Sequence, residues 1–570
     1  MPAAIMAATA ANGGSSRPPT SPTACKGSQG LPPLEKFPAQ GYLHNIWQGF
    51  RSIVAYLLWP VHYIHRVGWQ RALASAIMCL LTFFHGKPLR KLGIAMEWLG
   101  NSILGPDKDT KCNLTVIGLL DRNFTLDEHT VTTFPSETPS ARTNALVCCM
   151  ASKVIYEDDR LVEHVVNNVW NKNNKGEKFK FIEWYHYTTQ GQDRVDTQAM
   201  LVKKGHAVIV AFRGTQPFSV VDWATDFRFS WWDGIPPLGR VHIGFLESLG
   251  LGAPIDDEDP SEKDESTRLE EDEKLRAFSK YINLCQTRHR QGTKRRDDTA
   301  GRKSRADVRD PQTPASDESE ADVLARFLKD YVLEDKSALA NKAAPLSEEV
   351  CDQWNVRDNA PLYWKIRLAL ANALRADPEA KVYITGHSLG GALAALFAGL
   401  LAAENDVMAE RIGGLYTFGQ PRIGDWSFAE YLHNKLNLPE QRYVRLIYAN
   451  DLVPRVPFNS SMHQYKHLGP YHVSNAFYAV TVGTSTEQPA MGVIAPYLTI
   501  ILEFWYNVVW NEIANLCFRD VPRPRETCFQ MLVRALSMFA PRIAAHNPAN
   551  YLNAVRYGFP HGEQKKQPPT

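Results

Sequence analysis

Apolar and polar residues alternate in distinct regimes along the chain, and each regime predicts a different kind of element. Residues 1–40 are rich in Ala, Gly, Ser, Pro and Thr and have no apolar period, which predicts disorder. Residues 52–64 and 72–84 are two apolar runs of 13 residues each. Both are shorter than the ~20 residues of a membrane-spanning helix. His65, Arg66, Gln70 and Arg71 separate them, Lys87, Arg90 and Lys91 follow, and Trp47, Tyr56, Trp59, Tyr63 and Trp69 mark their edges. That pattern predicts a helix pair lying in or dipping into a membrane face, with a helical hairpin packed on the soluble core as the alternative. From Lys178, short β-like runs follow one another (KFKFIEWYH, QAMLVKK, HAVIVAFRGT) and predict an antiparallel meander entering a sheet. Residues 253–350 break the pattern. Eleven acidic and two basic residues fall in 256–273, then eight basic and two acidic ones in 288–305, which predicts a solvated, largely disordered insertion. Inside it, 321–335 (ADVLARFLKDYVLED) has the spacing of one amphipathic helix. Order resumes with an amphipathic helix at 362–377, a β-prone run at 382–385, a small-residue helix from Ala392 and a strand at 442–450. Residues 491–518 carry only Glu503 and Glu512 as charges.

Composition narrows this picture. At 570 residues the chain exceeds one domain of ~150 residues, yet an α/β domain with insertions accommodates it. Apolar residues make up 44%, enough for a sizeable core, and a net charge of +2 implies no global attraction to nucleic acid. The nine cysteines are odd in number and none has metal-site spacing, which favours a reduced intracellular setting without a bound metal. No secretory leader is visible in the first 45 residues, so the sequons at Asn113, Asn123 and Asn459 are expected to be unused.

The chemistry concentrates where the β-prone run meets the small-residue helix. Gly386-His387-Ser388-Leu389-Gly390 places a serine between glycines at a strand–turn–helix junction. Such a turn lifts the hydroxyl off the sheet and aims helix-start N–H groups at an anion forming beside it. A serine needs a base, and the base an orienting acid. Asp451, just after the 442–450 strand, lies where that acid belongs; its bland alternative is a turn aspartate before Pro454. Five histidines follow Asp451, namely His463, His467, His472, His546 and His561. His546, in a loop before a short helix, is the favoured base, with His467 the alternative. Leu389, after the nucleophile, and Thr215, after the strand 208–212, are the expected oxyanion donors.

These segments have a familiar order. AFRGT (211–215), VHIGFLESLG (241–250), GHSLGGAL (386–393), TFGQPRIGD (417–425), NDLVPRVP (450–457) and His546 resemble the class 3 lipase family over residues 178–250 and 360–557. Within it, DWATDFRFSWW, RVHIGFLESLGLG, the apolar N-terminal region and HNPANYLNAVRYG are similar to the plant oil body lipases. The resemblance implies an α/β-hydrolase fold with a mixed central sheet and a triad of Ser388, Asp451 and His546. It also implies a lid at 217–235 carrying Trp223, Phe227, Phe229, Trp231 and Trp232. The expected organisation is a disordered 1–45, a lipid-associating 46–110, a lipase domain in two parts (111–252 and 351–560) flanking the 253–350 insertion, and a tail at 561–570. Residues 491–518 then serve as a second membrane-facing element, an acyl-chain cover or a buried core helix. The expected activity is ester hydrolysis of long-chain acylglycerols at a lipid–water interface, without cofactor or metal. The expected location is a lipid droplet or the cytoplasmic face of an intracellular membrane. A phospholipid or galactolipid acyl hydrolase and a catalytically silent interaction protein are the alternatives. The sequence does not give an oligomeric state.

Overall fold

The computed structural model describes residues 93–188, 196–215, 231–235, 238–251, 333–335, 354–356, 360–404, 406–457, 464–467, 469–475, 477–483 and 544–559. By internal contacts the chain divides into Met1–Ala72 and Leu73–Thr570, and every described residue lies in the second unit. The expectations for 52–64, 72–84, most of the lid and insertion, and 491–518 fall outside the described residues.

Eight strands form one sheet whose spatial order is their chain order: β1 Lys180–Thr188, β2 Asp196–Lys204, β3 Ala207–Phe212, β4 Lys381–His387, β5 Ile412–Phe418, β6 Tyr443–Tyr448, β7 Tyr471–Ser474 and β8 Val480–Gly483. The meander expected from Lys178 is β1, β2 and β3, joined by antiparallel ladders. β3 to β7 pair in parallel, and β8 returns antiparallel at the far edge. Every residue of β3 and β6 is buried, as expected of strands covered on both faces. β1, at the edge, buries one residue in nine.

Two helical layers provide the cover. On one face, α1 (Arg142–Val154) and the last helix, α5 (Pro548–Gly558), pack Leu146, Met150, Tyr551 and Val555 against Val202, Ile209 and Leu446. On the other, α2 (Leu362–Ala376), α3 (Leu389–Glu404) and α4 (Trp426–Leu436) pack against Leu201, Val210, Ile384 and Leu415. α3 is apolar on all sides and is buried from Gly390 to Glu404, so it lies between the sheet and its neighbours rather than on the surface. Glu404 at its end is held by Arg367 Nη2 at 2.6 Å and by the Tyr363 hydroxyl. This three-layer arrangement, with a mixed sheet and a sharp β4–α3 junction, is an α/β-hydrolase fold.

Two local expectations are corrected. α3 begins at Leu389 rather than Ala392, because glycines at 390 and 391 let the helix start against the sheet. A Cβ at Gly390 would stand 2.1 Å from the Phe212 carbonyl oxygen. Residues Leu333–Asp335, read as the end of an amphipathic helix, form a strand paired antiparallel with Trp354–Val356. A partner strand distant in sequence overrides the local helical period there. Among the described residues, no helix is long and apolar enough to cross a membrane.

A further helix, 93–104, precedes α1. It is joined to the body through Glu97, whose Oε1 accepts from Val116 N at 3.0 Å, and through Asn101, which exchanges two hydrogen bonds with the Leu114 backbone.

Candidate active site

Ladder register brings three strand ends together: Phe212 of β3 lies opposite Gly386 of β4, and His387 of β4 opposite Phe418 of β5. Ser388 follows at the turn into α3 with φ 60°, a left-handed conformation that side chains rarely adopt. The flanking glycines are steric requirements. A Cβ at Gly386 would sit 2.1 Å from the Gly390 backbone. Ser388 N donates to Phe418 O at 2.9 Å, and Ser388 O accepts from Gly391 N at 2.9 Å, which pins the turn to β5 and opens the helix. The serine is buried, at 1% exposure.

Asp451 follows β6 and is fully buried. Its Oδ1 accepts from Val453 N at 2.9 Å. Its Oδ2 faces His546 Nδ1 at 2.6 Å and accepts the Tyr551 hydroxyl. A carboxylate opposite Nδ1 assigns the ring proton to that nitrogen and leaves Nε2 as an acceptor. His546 stands just before α5. Asn547 caps that helix by accepting from Ala549 N at 3.0 Å, and Pro548 occupies its first turn. The ring is fitted closely: Gly419 has φ +63°, and a Cβ there would meet His546 Cε1 at 2.7 Å. His546 Nε2 and Ser388 Oγ are both buried, and neither makes a hydrogen bond, so the Ser–His bond is not formed in this structure. Unliganded sites commonly hold this bond long.

The end of β3 closes the other side. Arg213 N donates to Gln198 O at 2.9 Å, and the guanidinium bonds the Gln198 side chain. A Cβ at Gly214 would lie 2.5 Å from His387 O and 3.1 Å from Ser388 Cβ, so only glycine lets the chain pass the nucleophile. Thr215 comes next, with its Oγ1 buried and without a partner. Leu389 opens α3, so its N–H has no acceptor within the helix.

Two residues of this cluster escaped sequence reasoning. Tyr551 sits five positions after His546 and binds the same carboxylate oxygen, and Tyr156 places its hydroxyl 2.9 Å from His387 Nδ1. His387 has its ring centroid 4.5 Å from that of His546, the two rings tilted by 32°, and burial together with that neighbour holds its pKa well below the usual imidazole value. The contact with Tyr156 has no local signal, since 231 positions separate the pair.

The other histidines have different partners. His467 Nε2 lies 3.0 Å from Pro454 O, and burial, with Arg445 and Arg422 near, keeps the ring neutral. His472 lies in β7 against Phe559, and burial lowers its pKa to about 4. His463 and His561 lie outside the described residues. So do Trp223, Phe227 and Phe229 of the expected lid. Trp231 and Trp232 fall in a hairpin, Trp231–Ile235 with Gly239–His242. Trp231 stacks on Tyr465 at 3.9 Å under the Arg240 guanidinium, and Trp232 packs on the core. Among the described residues, no group of three His, Cys, Asp or Glu side chains is arranged to hold a metal.

Known proteins resemble this chain. The lipase (class 3) family model matches residues 306–461, which include Ser388 and Asp451. Triacylglycerol lipase OBL1 of Nicotiana tabacum is 28% identical over 482 residues, covering 82% of this chain and 76% of its own length. Its Ricinus communis namesake is 30% identical over 421 residues, 72% of this chain and 64% of its own length. The solved lipase II from Rhizopus niveus aligns over 61% of this chain and 85% of its own, at 18% identity with a TM-score of 0.33. The chain belongs to the class 3 lipase family of carboxylic ester hydrolases.

Proposed function

We propose that this chain hydrolyses long-chain acylglycerols, triacylglycerol foremost, at the surface of a lipid droplet or oil body. The observation that carries the reading is the buried His546–Asp451 pair at 2.6 Å, set beside a serine in a left-handed turn. A neutral imidazole whose Nδ1 proton is committed to a carboxylate has Nε2 ready to take the proton of Ser388. The Ser388 oxygen attacks the ester carbonyl, and the carbonyl electron pair moves onto oxygen. Leu389 N–H and Thr215, by N–H and hydroxyl, stabilise that oxyanion. Collapse expels the diacylglycerol oxygen, which takes the proton from His546. Water, deprotonated by the same nitrogen, then cleaves the acyl-enzyme and releases the fatty acid. The substrate class is supported by the names of the tobacco and Ricinus relatives, and the location by the apolar runs before residue 93.

The test is turnover of a triolein emulsion against phospholipid vesicles, with fluorophosphonate labelling of wild type and Ser388→Ala. Release of oleate from triolein, and labelling that vanishes in the variant, is expected. Preferential hydrolysis of vesicles would reassign the head group. Absence of both label and hydrolysis would leave a catalytically silent lipase fold.

A further inference from the structure

The 93–104 helix is inside out. The stripe at Gly93, Glu97, Gly100 and Asn101 has the spacing that normally buries apolar residues, and here it presents glycine and polar side chains to the body. Glu97 and Asn101 serve the backbone of 114–116. Gly100 fits closely, since a Cβ there would meet Leu119 Cδ1 at 2.6 Å. The opposite face carries the bulk. Trp98 and Ile103 are each 72% exposed, and Ile94 and Leu99 are exposed beside them. The polar member of that face, Ser102, donates its hydroxyl to Trp98 O at 2.7 Å.

We infer that this face is a docking surface for the phospholipid-coated surface of an acylglycerol droplet. Half of the ten large apolar side chains that stand exposed among the described residues belong to this one helix. A soluble protein rarely concentrates them so. Two arguments select the occupant. The apolar runs 52–64 and 72–84 lead directly to the helix in sequence. Lys87, Arg90 and Lys91 precede it within six residues, a charge complement for lipid phosphates beside an apolar, tryptophan-bearing face. The inference rests on the reading of this chain as an acylglycerol lipase and adds the element that meets its substrate surface.

The experiment uses the full chain with triolein droplets coated with phosphatidylcholine. Trp98→Gln, Leu99→Gln and Ile103→Gln together are expected to lower the floating fraction by about tenfold or more, given the apolar area removed. Hydrolysis of a dissolved short-chain ester reports folding and is expected to persist. Phe477→Gln with Val482→Gln, at exposed apolar positions elsewhere, is expected to float as wild type does. Should the triple variant lose the soluble activity, Trp98→Gln alone decides by the same flotation. Unchanged flotation overturns the docking surface. A wild-type dimer that the substitutions dissociate without lipid also overturns it, by giving the face to a second copy. A wild type that floats normally but hydrolyses nothing refutes the lipase reading and leaves the surface standing.

Discussion

Gly419 offers a direct test of how closely the imidazole is held. Alanine there brings in two separable effects. The first is conformational: φ is +63°, and an L side chain in that region costs ~1–2 kcal/mol. The second is steric. The new Cβ would stand 2.7 Å from His546 Cε1, 2.9 Å from its Nδ1 and 3.0 Å from the Tyr551 hydroxyl. Comfortable carbon contacts lie near ~3.5–4.0 Å, so the ring must retreat by ~1 Å or the start of the β5–α4 connection must shift. A misplacement of ~1 Å in a catalytic group lowers turnover by ~10²-fold. Gly105→Ala separates the two effects. Gly105 has φ +74°, and a Cβ there meets nothing within 4 Å. Both variants should lose melting temperature through the backbone penalty, by a few degrees at most, since a domain larger than ~250 residues shifts by less than ~2–4 °C per kcal/mol. Only Gly419→Ala should lose activity, by ~10²-fold in kcat on a soluble ester. The assay is kcat and melting temperature for both variants side by side. If Gly419→Ala keeps turnover within threefold of wild type, the seat of His546 described above is not the working one.

Other substitutions divide the roles further. Ser388→Ala and His546→Ala should each lower turnover by at least ~10³-fold, while His467→Ala keeps activity and loses stability; a dead His467→Ala with an active His546→Ala reverses the assignment. Thr215→Val should cost ~10²-fold in kcat with KM little changed, since the oxyanion exists only near the transition state; normal turnover would leave Thr215 its backbone role alone. Acid should destabilise the fold through buried neutral imidazoles. His472 titrates at about 4 in the fold against the usual 6.5, so the unfolded chain takes the proton first and stability falls as pH drops from 6.5 toward 4. The full loss from this residue is about 3 kcal/mol, and His387 and His467 act in the same direction. His472→Phe should flatten the fall of melting temperature with pH in that window.

Much of this architecture was legible where local pattern and tertiary role coincide. The runs after Lys178, the 362–377 helix and the glycines around Ser388 each state their element in a few adjacent residues, and the structure has β1 to β3, α2 and the β4–α3 turn there. Asp451 and His546 were also readable as candidates, because chain order and a capped short helix mark them. What stayed hidden depends on distant partners. Leu333–Asp335 takes its form from Trp354–Val356, against its own helical period. Tyr156 reaches His387 from a segment whose sequence advertises only a buried helix end. Gly419 looks like any glycine after a strand, and its requirement arises only once His546 arrives from more than a hundred residues away. The 93–104 helix was hidden for the opposite reason: its residues look like an ordinary amphipathic helix, and only the structure reveals which side faces out.

The chain-order sheet has a consequence for biosynthesis. β3 and β4 are parallel neighbours in register from Ala207–Lys381 to Phe212–Gly386. About 170 residues separate them, so at ~5–20 residues per second the ribosome takes roughly 10–30 s to deliver the partner of β3. Until then a wholly apolar strand, AVIVAF, waits with one edge unpaired in the nascent chain. An edge of that composition is a template for adventitious pairing. The two halves of the catalytic centre, Thr215 on one side and Ser388 on the other, meet only when that edge is closed. Yield of active enzyme should therefore be governed by events on the ribosome, and slowing synthesis before residue 381 should favour aggregation over activity.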